Sequence, residues 1–149
     1  MYKRQIYNPI LCAGVLGWAA AQVLKFILFF MQNTKFNVER LYGSGGMPSS
    51  HSSLVCASLI STGRLNGWDS SAFAIMFVVS AIVMYDAANV RLEAGKHAKQ
   101  LNAIMLKLFS QDEQADKKSQ FKELLGHTPL QVVCGAILGI MIGAFMPLQ

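Results

Sequence analysis

The chain has 149 residues, of which 53% are hydrophobic and only 14% charged, and its mean hydropathy is +0.37. These values are unusual for a soluble globular protein and predict one integral membrane domain over residues 1–149. The net charge of +5 does not indicate nucleic-acid binding, because the basic residues lie at the ends and between apolar segments. Three cysteines inside apolar segments show neither a disulfide framework nor metal-ligand spacing.

The first apolar segment covers residues 10–31 and is long enough to span a bilayer. It is longer than the core of a signal peptide and lacks a small-residue cleavage site, so we treat it as a retained helix. Lys25 interrupts it. This lysine either snorkels towards the interface near Met31 or faces a polar interior, and snorkelling is the favoured interpretation.

The run Gly45-Gly46-Met47-Pro48-Ser49-Ser50-His51 leads into a second helix, predicted over 50–63. Ser49 or Ser50 is a good N-cap, and the free backbone N–H groups of a helix start attract anions such as phosphate. The alternative is a capped helix start with an incidental histidine. This helix is short for a membrane crossing, so we expect it to be buried among its neighbours.

The third segment, 72–90, is apolar until Asp86, and an ionisable residue inside such a segment marks a functional site by default. The alternative is that Asp86 already lies at the water interface. The helical pattern continues through Arg91 to about Phe109, and we assign a polar or amphipathic cytoplasmic segment to 91–128. Its apolar stripe is predicted to contain Ala94, Ala98, Leu101, Met105 and Leu108.

The last membrane segment is predicted over 130–146 and begins with a recognisable helix start. Thr128 stands at the N-cap, Pro129 at the first helical position and Gln131 at the third, which is the pattern of a capping box. Gln131 therefore has a structural role whatever the chemistry.

If the four segments cross in alternation, His51, Asp86, Arg91 and His127 share one membrane face. By the positive-inside rule that face is cytoplasmic, because it carries most of the basic residues. They are Lys35, Arg40, Arg91, Lys96, Lys99, Lys107, Lys117, Lys118 and Lys122, against Lys3, Arg4 and Arg64 on the other face.

Two histidines at helix N-termini, with cations and a carboxylate nearby, suit phosphoryl transfer without a metal or other cofactor. One histidine can attack phosphorus while the other protonates the leaving oxygen. A metal site is the competing idea, and we rate it lower because His51, His127 and Asp86 lack a compact ligand spacing.

Pro48-Ser49-Ser50-His51 resembles a motif of the type 2 phosphatidic acid phosphatase and vanadium haloperoxidase superfamily. Three motifs resemble its divergent branch of small multi-pass proteins more closely: Gly45 to Ser52, Met84 to Ala87 and Gly126 to Pro129. The resemblance implies an all-α, multi-pass membrane bundle of about four to five helices. It also implies that His127 is the nucleophile that forms a phosphohistidine, that His51 is the general acid, and that Ser49 and Ser50 bind phosphate.

The chain departs from the superfamily pattern at three places. The arginine a few residues before the nucleophile is missing, and the first lysine-arginine motif is not met by Lys35 and Arg40. Arg91 or Lys122 would have to substitute. Gln131 replaces the acid that orients and charges the nucleophile; it can hold one tautomer of His127, and Asp86 is a candidate for the missing charge. The candidate phosphate cations are Lys35, Arg40, Arg91 and Lys122.

The leading hypothesis is a membrane-embedded phosphatase acting on a lipid phosphate or another phosphomonoester or diphosphate. The catalytic set is His127, His51 and Asp86, with Gln131 and Thr128 orienting the nucleophile. The alternative is an impaired relative that binds phosphate or anionic lipid, or that has a structural or transport-associated role. Vanadate-dependent halide oxidation is disfavoured. The expected partners are the substrate and membrane lipids, not nucleic acid, and homo-oligomerisation is left open.

Overall fold

The computed structural model describes residues 8–32, 46–109 and 127–147, with side chains throughout except at 32 and 106–109. Its elements are α1 (Pro9–Gln32), α2 (Ser50–Asn66), α3 (Ser71–Tyr85), a π-helical turn (Asp86–Val90), α4 (Arg91–Phe109) and α5 (Pro129–Phe145). Within these ranges every regular element is helical, and the predicted all-α fold class is confirmed. The candidate cations Lys35, Arg40 and Lys122 lie outside the described residues, as does the segment predicted to follow Phe109.

Side-chain caps define three helix starts, of which the sequence analysis predicted the caps of α2 and α5. Ser49 caps α2 by accepting a hydrogen bond from the Ser52 amide, and Ser70 caps α3 in the same way from the Phe73 amide. Thr128 and Gln131 form the predicted capping box of α5. These caps satisfy amide groups that have no partner inside their own helix, which fixes where each helix begins.

Two predicted helix ends differ from the structure. The second helix continues past residue 63 to Asn66, because Gly63 does not end it but lies beneath the Trp68 ring. Gly67, with φ +95°, terminates the helix instead. The third segment is also not one regular helix over 72–90, since its hydrogen bonding changes to the π pattern at Asp86.

Helix α2 lies at the centre of the bundle, between α1, α3 and α5. A Cβ atom built on Gly135 or Gly139 of α5 would overlap the carbonyl of Ser49 or Ser53, so only glycine permits this approach. On the other side, the Ser53 hydroxyl donates to the Gly17 carbonyl at 2.8 Å. Along the chain, α5 therefore runs parallel to α2 and α1 runs antiparallel to it.

The interior of the bundle is unusually polar for a membrane protein. Buried hydroxyl groups concentrate on α2, where they are enclosed by neighbouring helices: Ser49, Ser50, Ser52, Ser53, Ser58, Ser61 and Thr62. The Ser80 hydroxyl of α3 donates to the Met76 carbonyl at 2.7 Å and approaches the Val55 carbonyl of α2 at 3.3 Å. The short second helix is thus enclosed, as its length led us to expect, and small side chains allow close packing.

Apolar side chains cover the outside of the bundle. Two helical stretches are long and apolar enough to cross a membrane, Pro9–Met31 and Ser71–Met105, and α5 is a shorter apolar helix. The outward-facing side chains include Leu11, Phe30, Ile75, Phe77, Ile82, Leu130, Val133, Ile137 and Phe145. Among the described side chains of α4 (91–105), Gly95, Ala98 and Asn102 are buried, whereas Ala94 and Leu101 of the predicted stripe are exposed; Leu108 lies outside them.

Candidate functional site

The candidate site lies where α2 and α5 both begin. The Ser49 amide donates to the Gln131 carbonyl at 3.0 Å, which fixes the start of α2 against the first turn of α5. The two helix N-termini therefore point to the same region, and each contributes a partial positive charge there. The Ser49 hydroxyl is fully buried and occupied by the Ser52 amide and hydroxyl, at 3.4 and 3.1 Å. Its role is to build this helix start.

The histidines of the two helix starts lie next to each other. The ring centroids of His51 and His127 are 6.4 Å apart, and the ring planes are inclined by 58°. His127 is only 2% exposed, whereas His51 is open to the surroundings. The site is thus formed from two imidazoles, one enclosed and one accessible.

The tautomer of His127 follows from its neighbours. The Thr128 amide, which can only donate, lies 3.1 Å from Oε1 of Gln131, so that atom is an acceptor. The same Oε1 lies 3.2 Å from Nδ1 of His127. Nδ1 must therefore carry the hydrogen and donate it, which leaves the lone pair on Nε2. Gln131 thus selects the tautomer in which Nε2 is the nucleophilic nitrogen.

The backbone of His127 is held by the π-helical turn that follows α3. Its amide donates to the Ala87 carbonyl in the π-helical turn at 3.0 Å. In the same turn, Nε of Arg91 lies 2.7 Å from Oδ2 of Asp86. The predicted partnership of Asp86 with His127 is not present, because Asp86 pairs with Arg91 and Gln131 occupies Nδ1 of His127.

A cation that the sequence interpretation placed elsewhere belongs to this site. Lys25 does not snorkel outward, so that interpretation was wrong: the side chain is 8% exposed. A Cβ on Gly46 would lie 3.4 Å from its Cγ and Cδ, so the stem of Lys25 runs along this glycine. The φ of +101° at Gly46 is the reason for glycine there.

The electrostatics of the site are dominated by positive charge. Lys25 and Arg91 lie close enough to both rings to influence them, and Asp86 also acts on His51. Burial is the largest cause that lowers the pKa of His127, and the charges of Lys25, His51 and Arg91 lower it further, whereas the hydrogen bond that Nδ1 donates to Gln131 raises it. His127 is therefore held in the neutral form that a nucleophile requires.

The structure brings together His51, His127, Gln131, Thr128, Asp86 and Arg91 of the predicted site residues. Ser49 and Ser50 are beside them, but both side chains are buried. Within the described residues, no group of three or more His, Cys, Asp or Glu side chains comes together that could hold a metal ion. The sequence interpretation missed Lys25 as a site residue. The sequence did contain an indication of this role, because a charge inside an apolar helix is costly and by default marks a functional site.

Comparisons with known proteins identify the family of the chain. The divergent PAP2 family matches residues 6–142. The chain belongs to this family. An uncharacterized membrane protein of Bacillus subtilis (strain 168), YuiD, is 35% identical over 131 residues, which cover 82% of this chain and 83% of the relative. No solved structure matches the chain.

Membership of the divergent PAP2 family confirms the resemblance inferred from the three sequence motifs. It also identifies the chain as a PAP2-related membrane protein, in agreement with its apolar surface and its two long apolar helices. The chemistry must be argued from the site itself.

Proposed function

We propose that this divergent PAP2 family member hydrolyses a phosphate ester at the membrane surface through a phosphohistidine on His127. The observation that carries this proposal is the pair of histidine rings, 6.4 Å apart between two helix N-termini. A phosphoryl group between them would have each reacting nitrogen about 3 Å from the atom it acts on. The substrate class is a lipid phosphate or another phosphomonoester or diphosphate.

The first step uses the tautomer set by Gln131. The Nε2 lone pair of His127 attacks phosphorus, and the bond from phosphorus to the ester oxygen breaks. His51, as imidazolium, gives its proton to that leaving oxygen. In the second step, water attacks the phosphohistidine, neutral His51 takes up the proton from the water, and phosphate leaves. Both histidines return to their starting states.

Positive groups around the histidine pair support the binding of a phosphoryl group. Lys25 and Arg91 are the described cations that act on both rings, and two helix N-termini add their dipoles. These groups stabilise the negative charge on the non-bridging oxygens in the transition state. In this proposal Ser49 and Ser50 shape the helix start, and the amides of Ser50 and His51 face the phosphate, since those of Ser49 and Ser52 have partners in the protein.

The experiment is to trap acid-labile phosphohistidine and to measure phosphate release from a panel of lipid and soluble phosphate esters. We expect His127→Ala to abolish both signals. His51→Ala should slow the release from esters with poor leaving groups most strongly, because it removes the general acid. His97→Ala is the matched control, since this third histidine is exposed on α4. Unchanged turnover in both site variants would refute the assignment.

One observation favours a second candidate function, phosphate or anionic-lipid binding without turnover. The residue at Nδ1 of His127 is an amide, which cannot stabilise an imidazolium as a carboxylate does. For this candidate we expect inorganic phosphate to bind to the wild-type protein and to protect it against thermal unfolding, with no phosphohistidine formed from any ester in the panel.

The same proposal includes a multi-pass topology with the site on the cytoplasmic face, as the distribution of basic residues favours. Single cysteines at Lys96, near the site, and at Asp69, at the other end of the bundle, would report the two faces after the native cysteines are replaced. We expect a membrane-impermeant thiol reagent added outside cells to label position 69 only. Labelling of position 96 alone would reverse the orientation. Homo-oligomerisation stays an open part of this proposal.

A further inference from the structure

The helix that follows α3 changes its hydrogen bonding beside the site. In the turn Asp86–Val90, the Arg91 amide donates to the Asp86 carbonyl, five residues back. In a regular α-helix that amide would donate to Ala87, four residues back. The slip by one residue therefore releases the Ala87 carbonyl, and this carbonyl accepts the His127 amide at 3.0 Å. Such π-turns inside helices often occur at functional sites.

The same slip brings two side chains together. Residues five apart in an α-helix point about 140° away from each other, because each residue turns the helix by about 100°. In the wider π-turn, Asp86 and Arg91 are instead adjacent, with Nε and Oδ2 at 2.7 Å. One local change in the backbone thus anchors His127 and fixes the guanidinium of Arg91.

We propose that Asp86 is a positioning residue, which acts through Arg91: it holds the guanidinium at the edge of the site and stabilises the π-turn whose released carbonyl holds His127. This inference rests on the proposed phosphate chemistry of the site. It gives Asp86 a different role from that of an acid partner of the nucleophile.

The geometry separates these two roles. Among the described residues, Arg91 is hydrogen-bonded to Asp86 through Nε, so the N–H groups on its two terminal nitrogens can bind phosphate oxygens in a fixed orientation. Nδ1 of His127 has its own partner in Gln131, so no hydrogen-bond position on the ring requires Asp86. Asp86 and Arg91 are 39% and 45% exposed, so loss of the pair should not unfold the bundle.

The test is a double-mutant cycle on the full chain in detergent, with inorganic phosphate as the probe and ester hydrolysis as the second readout. We expect Arg91→Ala to weaken phosphate binding by about 10- to 100-fold, the loss of a charged hydrogen-bonded pair. Asp86→Asn should weaken it by about three- to tenfold. In the Arg91→Ala background, Asp86→Asn should have no further effect. Asp86→Glu keeps the charge and should retain most of the affinity.

The control is Glu93→Gln, which breaks the Glu93–Lys96 pair (2.6 Å) one turn further along the helix and should leave phosphate binding unchanged. If Asp86→Asn weakens phosphate binding or slows turnover equally in the wild-type and Arg91→Ala backgrounds, Asp86 does not act through Arg91 and this inference fails. An absence of ester hydrolysis by the wild-type protein, with the cycle as expected, would instead refute the proposed activity and leave the positioning role intact. Wild-type protein that binds no phosphate would refute both.

Discussion

The two ends of the helical bundle use positive charge in different ways. At the end away from the site, Nη1 of Arg64 donates to the carbonyls of Gly143 and Met146, at 2.6 and 2.9 Å. That cation neutralises the negative end of α5, as expected at a helix C-terminus. At the site end, Lys25 and Arg91 are instead placed near helix N-termini that are themselves positive. Among the described residues, the Arg64 cation at one end is taken up by helix carbonyls. At the other end, Lys25, Arg91 and two helix N-termini lie near a single carboxylate that acts on His51, that of Asp86, so a bound anion would be favourable.

The largest effect is expected from Lys25→Met, which removes the buried charge but keeps an unbranched side chain along Gly46. Phosphate binding should weaken by about 10- to 100-fold, because a charged hydrogen-bond donor is lost. The thermal unfolding midpoint should stay the same or rise, since burial of the Lys25 ammonium group near the positive ends of two helices is costly. Isothermal titration with inorganic phosphate and thermal unfolding measure the two quantities.

Arg64→Met is the matched control for this prediction. It should lower the unfolding midpoint, because two carbonyl groups lose their donor, and leave phosphate binding unchanged. If instead both variants weakened phosphate binding equally, phosphate binding would not depend on which end of the bundle carries the cation. That result would contradict the proposed difference between the two ends.

The difference between the ends also shows what the sequence could predict. The starts of α2 and α5 depend on local capping residues, such as Ser49, Thr128 and Gln131, so both helix starts could be predicted from the sequence. The meeting of His51 and His127 followed from alternating crossings. The charge of Lys25 inside an apolar helix marked it as a functional residue, but its position beside Gly46 could not be predicted, because it depends on how the chain around Gly46 packs against α1. The π-turn was equally hidden: Asp86–Val90 has no composition that distinguishes it from an α-helical turn.

The second prediction compares close packing at the two ends of α5. A Cβ on Gly135 would overlap the Ser49 carbonyl at the helix start, whereas one on Gly143 would lie 2.7 Å from the Ala57 carbonyl, away from the site. Each alanine substitution should destabilise the bundle by about 1–3 kcal/mol, as overpacking does. Only Gly135→Ala should also displace α2 from His127 and weaken phosphate binding. Equal losses of phosphate affinity would show that the site does not depend on this contact.

The smallest effect is expected from Gln131→Glu, and its sign follows from the charge balance around His127. Burial and the neighbouring cations lower the pKa of His127, so its neutral form should persist below about pH 6.5 and be lost as the pH falls through the lowered pKa. A carboxylate at Nδ1 would favour the imidazolium and raise this pKa. Histidine NMR titration measures the shift without requiring turnover.

If the protein is a phosphatase, the acid limb of kcat/KM should move to higher pH by the same amount. The rate above that limb should increase, because a carboxylate stabilises the charge that develops on the ring. A titration unchanged by Gln131→Glu would mean that residue 131 does not set the proton on Nδ1, and the assignment of Nε2 as the attacking atom would then lose its basis.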